Sequence, residues 1–153
     1  MDLILWRHAD AEDVSASSSD SERSLTAKGI KQAARMAKWL KKRLPADAVV
    51  LASPAKRAQQ TARALTPDFE VVEEIGTSAS AESVLRACGW PQAGRTWVVV
   101  GHQPTLGEVA ALLMTGAQRQ WSLEKGAIIW LATREHGAIP RVHLRAAISP
   151  DFL

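Results

Sequence analysis

The sequence lacks several features that define whole classes of protein. Cys88 is its only cysteine, which excludes an internal disulfide and fits a reducing compartment. No apolar run approaches the roughly 20 residues needed to cross a bilayer, and the N-terminus has no basic segment of the kind that opens a secretion signal. We therefore expect a cytoplasmic protein with no membrane partner.

A large excess of charge is also missing. The 19 Lys and Arg residues and 16 Asp and Glu residues leave a net charge of +3, which suits an anionic substrate but is too weak to indicate a nucleic-acid partner. The sequence has no GxxxxGK phosphate loop and so does not support nucleotide hydrolysis by that route. With 46% hydrophobic and 23% charged residues, the composition is globular, and we expect one domain over residues 1–153.

Strand and helix patterns alternate through most of the chain. Apolar and β-branched runs predict strands at 2–7, 48–52, 69–72, 96–100, 127–131 and 142–144. Helical spacing predicts helices at 27–44, 55–65, 79–88 and 106–113. Thr26 caps the first of these helices, and Ile30 opens its predicted apolar face. The alternation predicts an α/β fold with a mostly parallel sheet. The last two strands, joined around His136-Gly137, predict a hairpin that leaves one strand antiparallel.

Arg and His residues follow three of the predicted strands. Arg7 and His8 end the first strand, Arg57 lies in the segment 53–61 after the second, and His102 follows the strand at 96–100. Ligands bind beyond the carboxyl ends of the strands in open α/β sheets, so we expect these side chains to share one site. Guanidinium forks match phosphate oxygens and imidazole is a nitrogen nucleophile, a combination that indicates phosphoryl transfer.

The spacing of these blocks is similar to that of a known family. The resemblance rests on Arg7-His8-Ala9-x-Ala11-Glu12, Asp20-x-x-Arg23-x-Leu25-Thr26-x-x-Gly29, Ser53-Pro54-x-x-Arg57-Ala58-x-Gln60-Thr61 and Gly101-His102. The ordered set resembles the histidine phosphatase superfamily, and within it the small phosphohistidine phosphatases of the SixA-like branch. The similarity extends over nearly the whole chain.

The resemblance implies a three-layer α/β/α sandwich of the phosphoglycerate-mutase type. It also implies that His8 is the nucleophile, with Arg7, Arg57 and His102 lining the phosphate pocket. His8 must be neutral to attack, and nearby cations would lower its pKa. His102 would work best protonated, as a donor to a phosphate oxygen. Because Arg and His supply the charge and no ligand cluster is apparent, we expect neither metal nor cofactor. Further candidates for binding the substrate are Arg23, Ser53 and Gln103.

The acid that would protonate a leaving oxygen stays open at this point. Its candidates are Glu12, Asp20, Glu73 and Glu74. An alkoxide leaves poorly without a proton, whereas an imidazole, with a pKa near about 6.5, departs from phosphorus readily. A site with a weak general acid should therefore favour phosphoramidates, including phosphohistidine.

The leading hypothesis is a monomeric phosphatase that removes phosphate from phosphohistidine on a protein such as a phosphotransfer domain. A general phosphomonoesterase for small sugar or nucleotide phosphates is the alternative enzyme. A phosphate-dependent binding module with little turnover is a third reading, disfavoured because a decayed site usually loses its nucleophile and His8 is present.

Overall fold

A computed structural model describes residues 1–16, 19–92, 94–134 and 141–153. Its strands are β1 (Asp2–Arg7), β2 (Val49–Ala52), β3 (Glu70–Val71), β4 (Thr96–Gly101), β5 (Ile128–Arg134) and β6 (Arg141–Ile148). Its α-helices are α1 (Ala27–Lys41), α2 (Lys56–Leu65), α3 (Ala81–Ala87) and α4 (Thr105–Thr115). Single 3-10 turns occupy Val14–Ala16, Asp20–Glu22, Glu73–Ile75 and Pro150–Phe152.

The six strands form one sheet in the order β3-β2-β4-β1-β5-β6. Strand β4 pairs in parallel with both β1 and β2, and β3 continues the parallel set beside β2. Strand β5 is antiparallel to both of its neighbours, β1 and β6. The prediction of a mostly parallel sheet with one antiparallel strand is confirmed.

Helices cover both faces of the sheet because its central strands are apolar on both sides. In β1, Leu3 and Leu5 pack in a core with α3 and α4, whereas Ile4 and Trp6 pack in a second core with α1 and α2. All four side chains are fully buried. The expected three-layer α/β/α sandwich is therefore present.

The structure shifts several predicted boundaries. Helix α1 ends at Lys41, before the predicted limit at 44, and β6 runs from Arg141 to Ile148, well beyond the predicted 142–144. The turn predicted around His136-Gly137 lies outside the described residues. Among the residues described, no helix is both long and apolar enough to cross a membrane.

One predicted core residue proves to be exposed. Ile30 is 58% accessible, so its assignment to the apolar face of α1 was wrong. The buried row of that helix consists of Gly29, Ala33, Met36, Ala37 and Leu40. Since each residue turns the helix by about 100°, Ile30 follows Gly29 out toward solvent.

Gly29 permits the close approach between α1 and the segment that follows β1. A Cβ at this position would lie 1.9 Å from the backbone oxygen of Asp10. That oxygen also accepts a hydrogen bond from Thr26 N at 3.0 Å, while the Thr26 hydroxyl accepts from Gly29 N at 3.0 Å. The start of α1 is thus held against the chain just beyond His8.

We expect Gly29→Ala to lower the free energy of unfolding by about 1–3 kcal/mol, because the methyl group would collide with a fixed carbonyl. Helix propensity alone predicts the opposite sign, a gain of about 1 kcal/mol. Urea denaturation distinguishes the two. Ala34→Ser, at an exposed position of the same helix, is the control and should change stability by no more than about 0.5 kcal/mol. A Gly29→Ala protein as stable as the parent would contradict the steric argument.

Candidate active site

Three neighbouring strands deliver the candidate residues to one edge of the sheet. Beyond β1, His8 N donates to Gly101 O at 3.0 Å, and beyond β2, Ser53 N donates to Val100 O at 3.0 Å. Both acceptors belong to β4, which lies between the two strands. His102 then follows the last residue of β4 directly. Side chains that are far apart in the sequence therefore meet because β4 is shared.

The His8 imidazole is held in one orientation with one nitrogen available. Its Nδ1 lies 2.8 Å from Ala9 O, and because a carbonyl only accepts, Nδ1 carries the hydrogen and Nε2 keeps its lone pair. Arg57 Nε lies 3.4 Å from that Nε2. The His102 ring is close as well, with the ring centroids 5.3 Å apart. This tautomer leaves Nε2 unprotonated, where it accepts a hydrogen bond from the Arg57 cation.

Burial keeps the His8 ring neutral. His8 is 6% exposed, and desolvation lowers its pKa to about 3, aided by the charges of Arg57 and Arg7 and only partly opposed by the bond to Ala9 O. The imidazole is therefore unprotonated at neutral pH, as nucleophilic attack requires.

His102 is also neutral in the free protein. Burial, followed by the charge of Arg57, lowers its pKa to about 4. Its Nε2 lies 2.7 Å from Ser53 Oγ, which in turn accepts from Ala55 N at 3.2 Å. Burial outweighs the favourable charge of Asp20, and the protonated His102 expected opposite a bound phosphate stays a prediction. A proton could be stabilised there only by an incoming anion.

Arg57 is buried and tied to an acidic residue of the loop after β1. It is 3% exposed; Nη1 donates to Asp20 O at 2.8 Å, and Nη2 lies 3.2 Å from Asp20 Oδ2. Arg23 Nε pairs with the other oxygen, Oδ1, at 3.1 Å. Burial pushes the pKa of Asp20 up, but the two arginines outweigh that effect and hold the pKa below its ordinary value. Asp20 is therefore ionised and serves as a counter-ion.

Arg7 and two residues that sequence reasoning overlooked complete the surroundings. Arg7 Nη1 donates to Leu123 O at 2.7 Å.

Ala9 N donates to Thr61 Oγ1 at 3.1 Å, and the same hydroxyl donates to Arg57 O at 2.8 Å, so Thr61 joins α2 to the His8 segment. Trp6 Nε1 donates to Gly126 O at 3.0 Å. Thr61 ends a motif block and could have been singled out, whereas no pattern links positions 6 and 126.

Two further predicted binding residues, Gln103 and Arg23, make contacts within the protein, and their contact with a substrate stays a prediction. Gln103 uses both ends of its amide within the protein: Nε2 donates to Trp121 O at 2.8 Å and Oε1 accepts from Gly107 N at 2.8 Å. These two bonds join the segment after α4 to the start of that helix. Arg23 lies at the rim, where Nη1 donates to Glu12 O at 3.0 Å.

The remaining candidate carboxylates form no ion pair with Arg57 in the described part of the chain. Glu12, Glu73 and Glu74 are exposed; the backbone oxygen of Glu12 accepts from Arg23, and that of Glu74 accepts from Ser83. Across the described ranges, no group of three or more His, Cys, Asp or Glu side chains is arranged to hold a metal ion. Positive charge at the site comes from the two guanidinium groups, Arg7 and Arg57.

Comparison with known families agrees with this arrangement. The family model for the histidine phosphatase superfamily (branch 1) matches residues 3–80, just over half of the chain. The chain belongs to the histidine phosphatase superfamily. His102 lies beyond the matched residues, so its place beside His8 is a finding of the structure.

Individual relatives place the chain near the SixA-like members of this superfamily. A phosphohistidine phosphatase SixA homolog from Haemophilus influenzae is 29% identical, over 95% of this chain and all of that protein. The structure of the protein histidine phosphatase SixA complexed with tungstate superposes with a TM-score of 0.82 at 27% identity, covering 99% of each chain. A putative SixA from Nakamurella multipartitia gives 0.80 at 26% identity, covering 97% of this chain and 95% of that one. The predicted phosphoglycerate-mutase-like fold is confirmed.

We expect both site histidines to stay neutral at pH 5.5, since each takes up a proton only as the pH falls through about 3 for His8 and about 4 for His102. In the unfolded chain the same histidines take up protons at about pH 6.5. Proton binding therefore favours the unfolded chain, and the free energy of unfolding should fall as the pH drops below that value. NMR titration of the imidazole nitrogens measures the first effect. Added orthovanadate at pH 7 should protonate His102 and leave His8 neutral. A site histidine already charged at pH 6 in the free protein would contradict the assignment.

Asp20→Asn should reduce turnover by a similar factor for substrates with good and poor leaving groups, because an ionised carboxylate paired with two arginines has no proton to give. The measurement is kcat/KM for an aryl and an alkyl phosphate. Glu12→Gln and Glu74→Gln are the matched variants, and we expect them to change kcat/KM little for either substrate. If Asp20→Asn slowed only the alkyl ester, Asp20 would be the general acid.

Proposed function

We propose that this protein is a phosphohistidine phosphatase in which His8 is the nucleophile. The observation that carries the proposal is the neutral His8 ring, with Nδ1 bound to Ala9 O and Nε2 beside Arg57. The relationship to SixA proteins supports it, as does the tungstate complex of one of them, because tungstate is a tetrahedral oxyanion like phosphate. Residues 1–153 would act as one phosphatase domain in a reducing compartment such as the cytoplasm.

The reaction would proceed by two in-line displacements. His8 Nε2 forms a bond to phosphorus while the bond between phosphorus and the substrate imidazole breaks, and the substrate ring, already protonated on its other nitrogen, departs as neutral imidazole. Water then attacks the phosphorus on His8, releasing inorganic phosphate and restoring the free ring. Arg7, Arg57 and His102 would stabilise the charge on the three equatorial oxygens, which is the main task in phosphoryl transfer.

The leaving group decides which substrate suits this site. The carboxylate bound to Arg57, that of Asp20, is ionised and paired, so it is unsuited to protonate an alkoxide. A neutral imidazole leaves without a proton from the enzyme far more readily, because the pKa of imidazole is about 6.5. The site therefore favours phosphohistidine, carried on a protein such as a phosphotransfer domain, over alkyl phosphates.

His8→Ala should lower kcat/KM for phosphohistidine by about 10³-fold or more, because covalent capture of the phosphoryl group is lost. Phosphate labelled in the substrate and trapped by rapid quenching should be found on His8 of the parent protein and be absent from the variant. The control is His143→Ala, which removes an exposed imidazole from β6.

The substrate panel completes the test. The protein should hydrolyse both free phosphohistidine and a phosphohistidine protein. It should hydrolyse alkyl phosphates at least about tenfold more slowly, and EDTA should leave all of these rates unchanged. Comparable turnover of alkyl phosphates would favour the general phosphomonoesterase. Binding without turnover or labelling of His8 would favour a binding module.

A further inference from the structure

Helix α1 and the two residues after it carry a strong local excess of positive charge. Residues 27–43 hold seven of the 19 Lys and Arg residues and none of the 16 Asp and Glu residues. The rest of the chain consequently has four more acidic than basic residues. A protein that is nearly neutral as a whole thus concentrates its positive charge on one helix.

Five of these cations form a single line, which we call the basic stripe. They are spaced three, four, three and four residues apart, so they lie on one side of the helix over about 21 Å. All five are exposed, and none makes an ion pair with a carboxylate in the described part of the chain. The basic stripe consists of Lys28, Lys31, Arg35, Lys38 and Lys42.

This arrangement works against the stability of the helix. Lys31 and Arg35 are like charges four residues apart, as are Lys38 and Lys42, and such pairs repel. Lys28 adds positive charge to the first turn, where the helix dipole favours negative charge. A helix face that only needed solvation could alternate Glu and Lys and gain stability. The basic stripe is therefore better explained as a surface for an anionic partner.

The basic stripe begins at the rim of the proposed active site. Asp10, two residues after His8, makes an ion pair with Lys125 at 3.0 Å. The Thr26 hydroxyl, then Lys125 and the charge of Lys28, hold the pKa of Asp10 below its usual value despite its partial burial. Gln32 of α1 also accepts from Asp10 N at 2.9 Å. A macromolecule that presents phosphorus to His8 must cover this rim and the start of α1.

We propose that the basic stripe docks an acidic segment of the phosphohistidine-bearing protein substrate, an inference that rests on the proposed function. Ile30, 58% exposed at the side of the stripe, offers the partner an apolar contact. At the far end, a cleft of about 350 Å³ lies between cations and an indole ring, lined by Arg35, Lys38, Trp39, Lys42, Arg43 and Leu153.

A membrane surface fits the same helix less well. Ile30 is the one large apolar side chain that α1 exposes strongly, whereas helices that lie in a bilayer interface bury a wide apolar face. The acidic excess of the remaining chain also opposes close approach to an extended polyanion such as nucleic acid. A folded protein with a local acidic segment avoids both difficulties.

The test compares two synthetic peptides that carry phosphohistidine between flanks of about ten Glu or about ten Gln, long enough to span the stripe when extended. The stripe variant is Lys31→Glu/Lys38→Glu. Its control is Arg86→Glu/Arg95→Glu, which makes the same change in net charge. Both control positions are exposed and lie near the end of the sheet away from His8. At low ionic strength the parent should hydrolyse the Glu peptide with a kcat/KM about tenfold above that for the Gln peptide. The stripe variant should lose this preference and the control should keep it.

Free phosphohistidine separates the two proposals, because it is too small to reach the basic stripe and all three proteins should hydrolyse it equally. If the parent hydrolyses it but shows no preference for the Glu peptide, docking is wrong and the proposed function stands. Equal loss of preference in both double variants would show an effect of net charge alone and overturn docking. Stripe-dependent sedimentation with phosphatidylglycerol vesicles, without peptide preference, would assign the face to membranes. Failure to hydrolyse free phosphohistidine would remove both proposals.

Discussion

The pairing of β4 with both β1 and β2 is the constraint on which the site depends. Backbone oxygens of β4 accept hydrogen bonds from His8 N and from Ser53 N, so one strand sets the positions of two segments about 45 residues apart. His102 directly follows β4, so the same strand also places it beside His8 and Ser53. A change that shifted β4 by one residue would turn its side chains to the opposite face and disperse the site.

Charge balance around Arg57 determines what the site can do. A guanidinium that is 3% exposed needs a counter-ion, and Asp20 supplies it from the loop after β1. That pairing ionises the carboxylate and so removes it as a proton donor. The same burial that makes the counter-ion necessary also keeps His8 and His102 neutral. The neutral imidazoles and the ionised Asp20 thus belong to one charge-balanced cluster around Arg57.

Local patterns were sufficient for most of the architecture. The six strands, the Thr26 cap and the single antiparallel strand follow from apolar periodicity and turn residues, and β1 shows the two-sided burial that its sequence predicts. Ile30 shows where periodicity alone was insufficient, because an apolar residue at helical spacing can lie at the edge of the buried row. The contacts of Gln103 were likewise not predictable from its place after His102, because its amide bonds Gly107 and Trp121.

Residue chemistry and order therefore specified which side chains could form a phosphate site, because Arg and His at the ends of parallel strands can meet only at one edge of the sheet. Their protonation and their partners depended on the folded chain. Contacts across long sequence separations decide three features of the site. They are the desolvation of His8, the pairing of Asp20 with Arg57 and the bond from Arg7 to Leu123 O. No local pattern encodes such contacts, since they are set by how the helices and loops pack around the sheet.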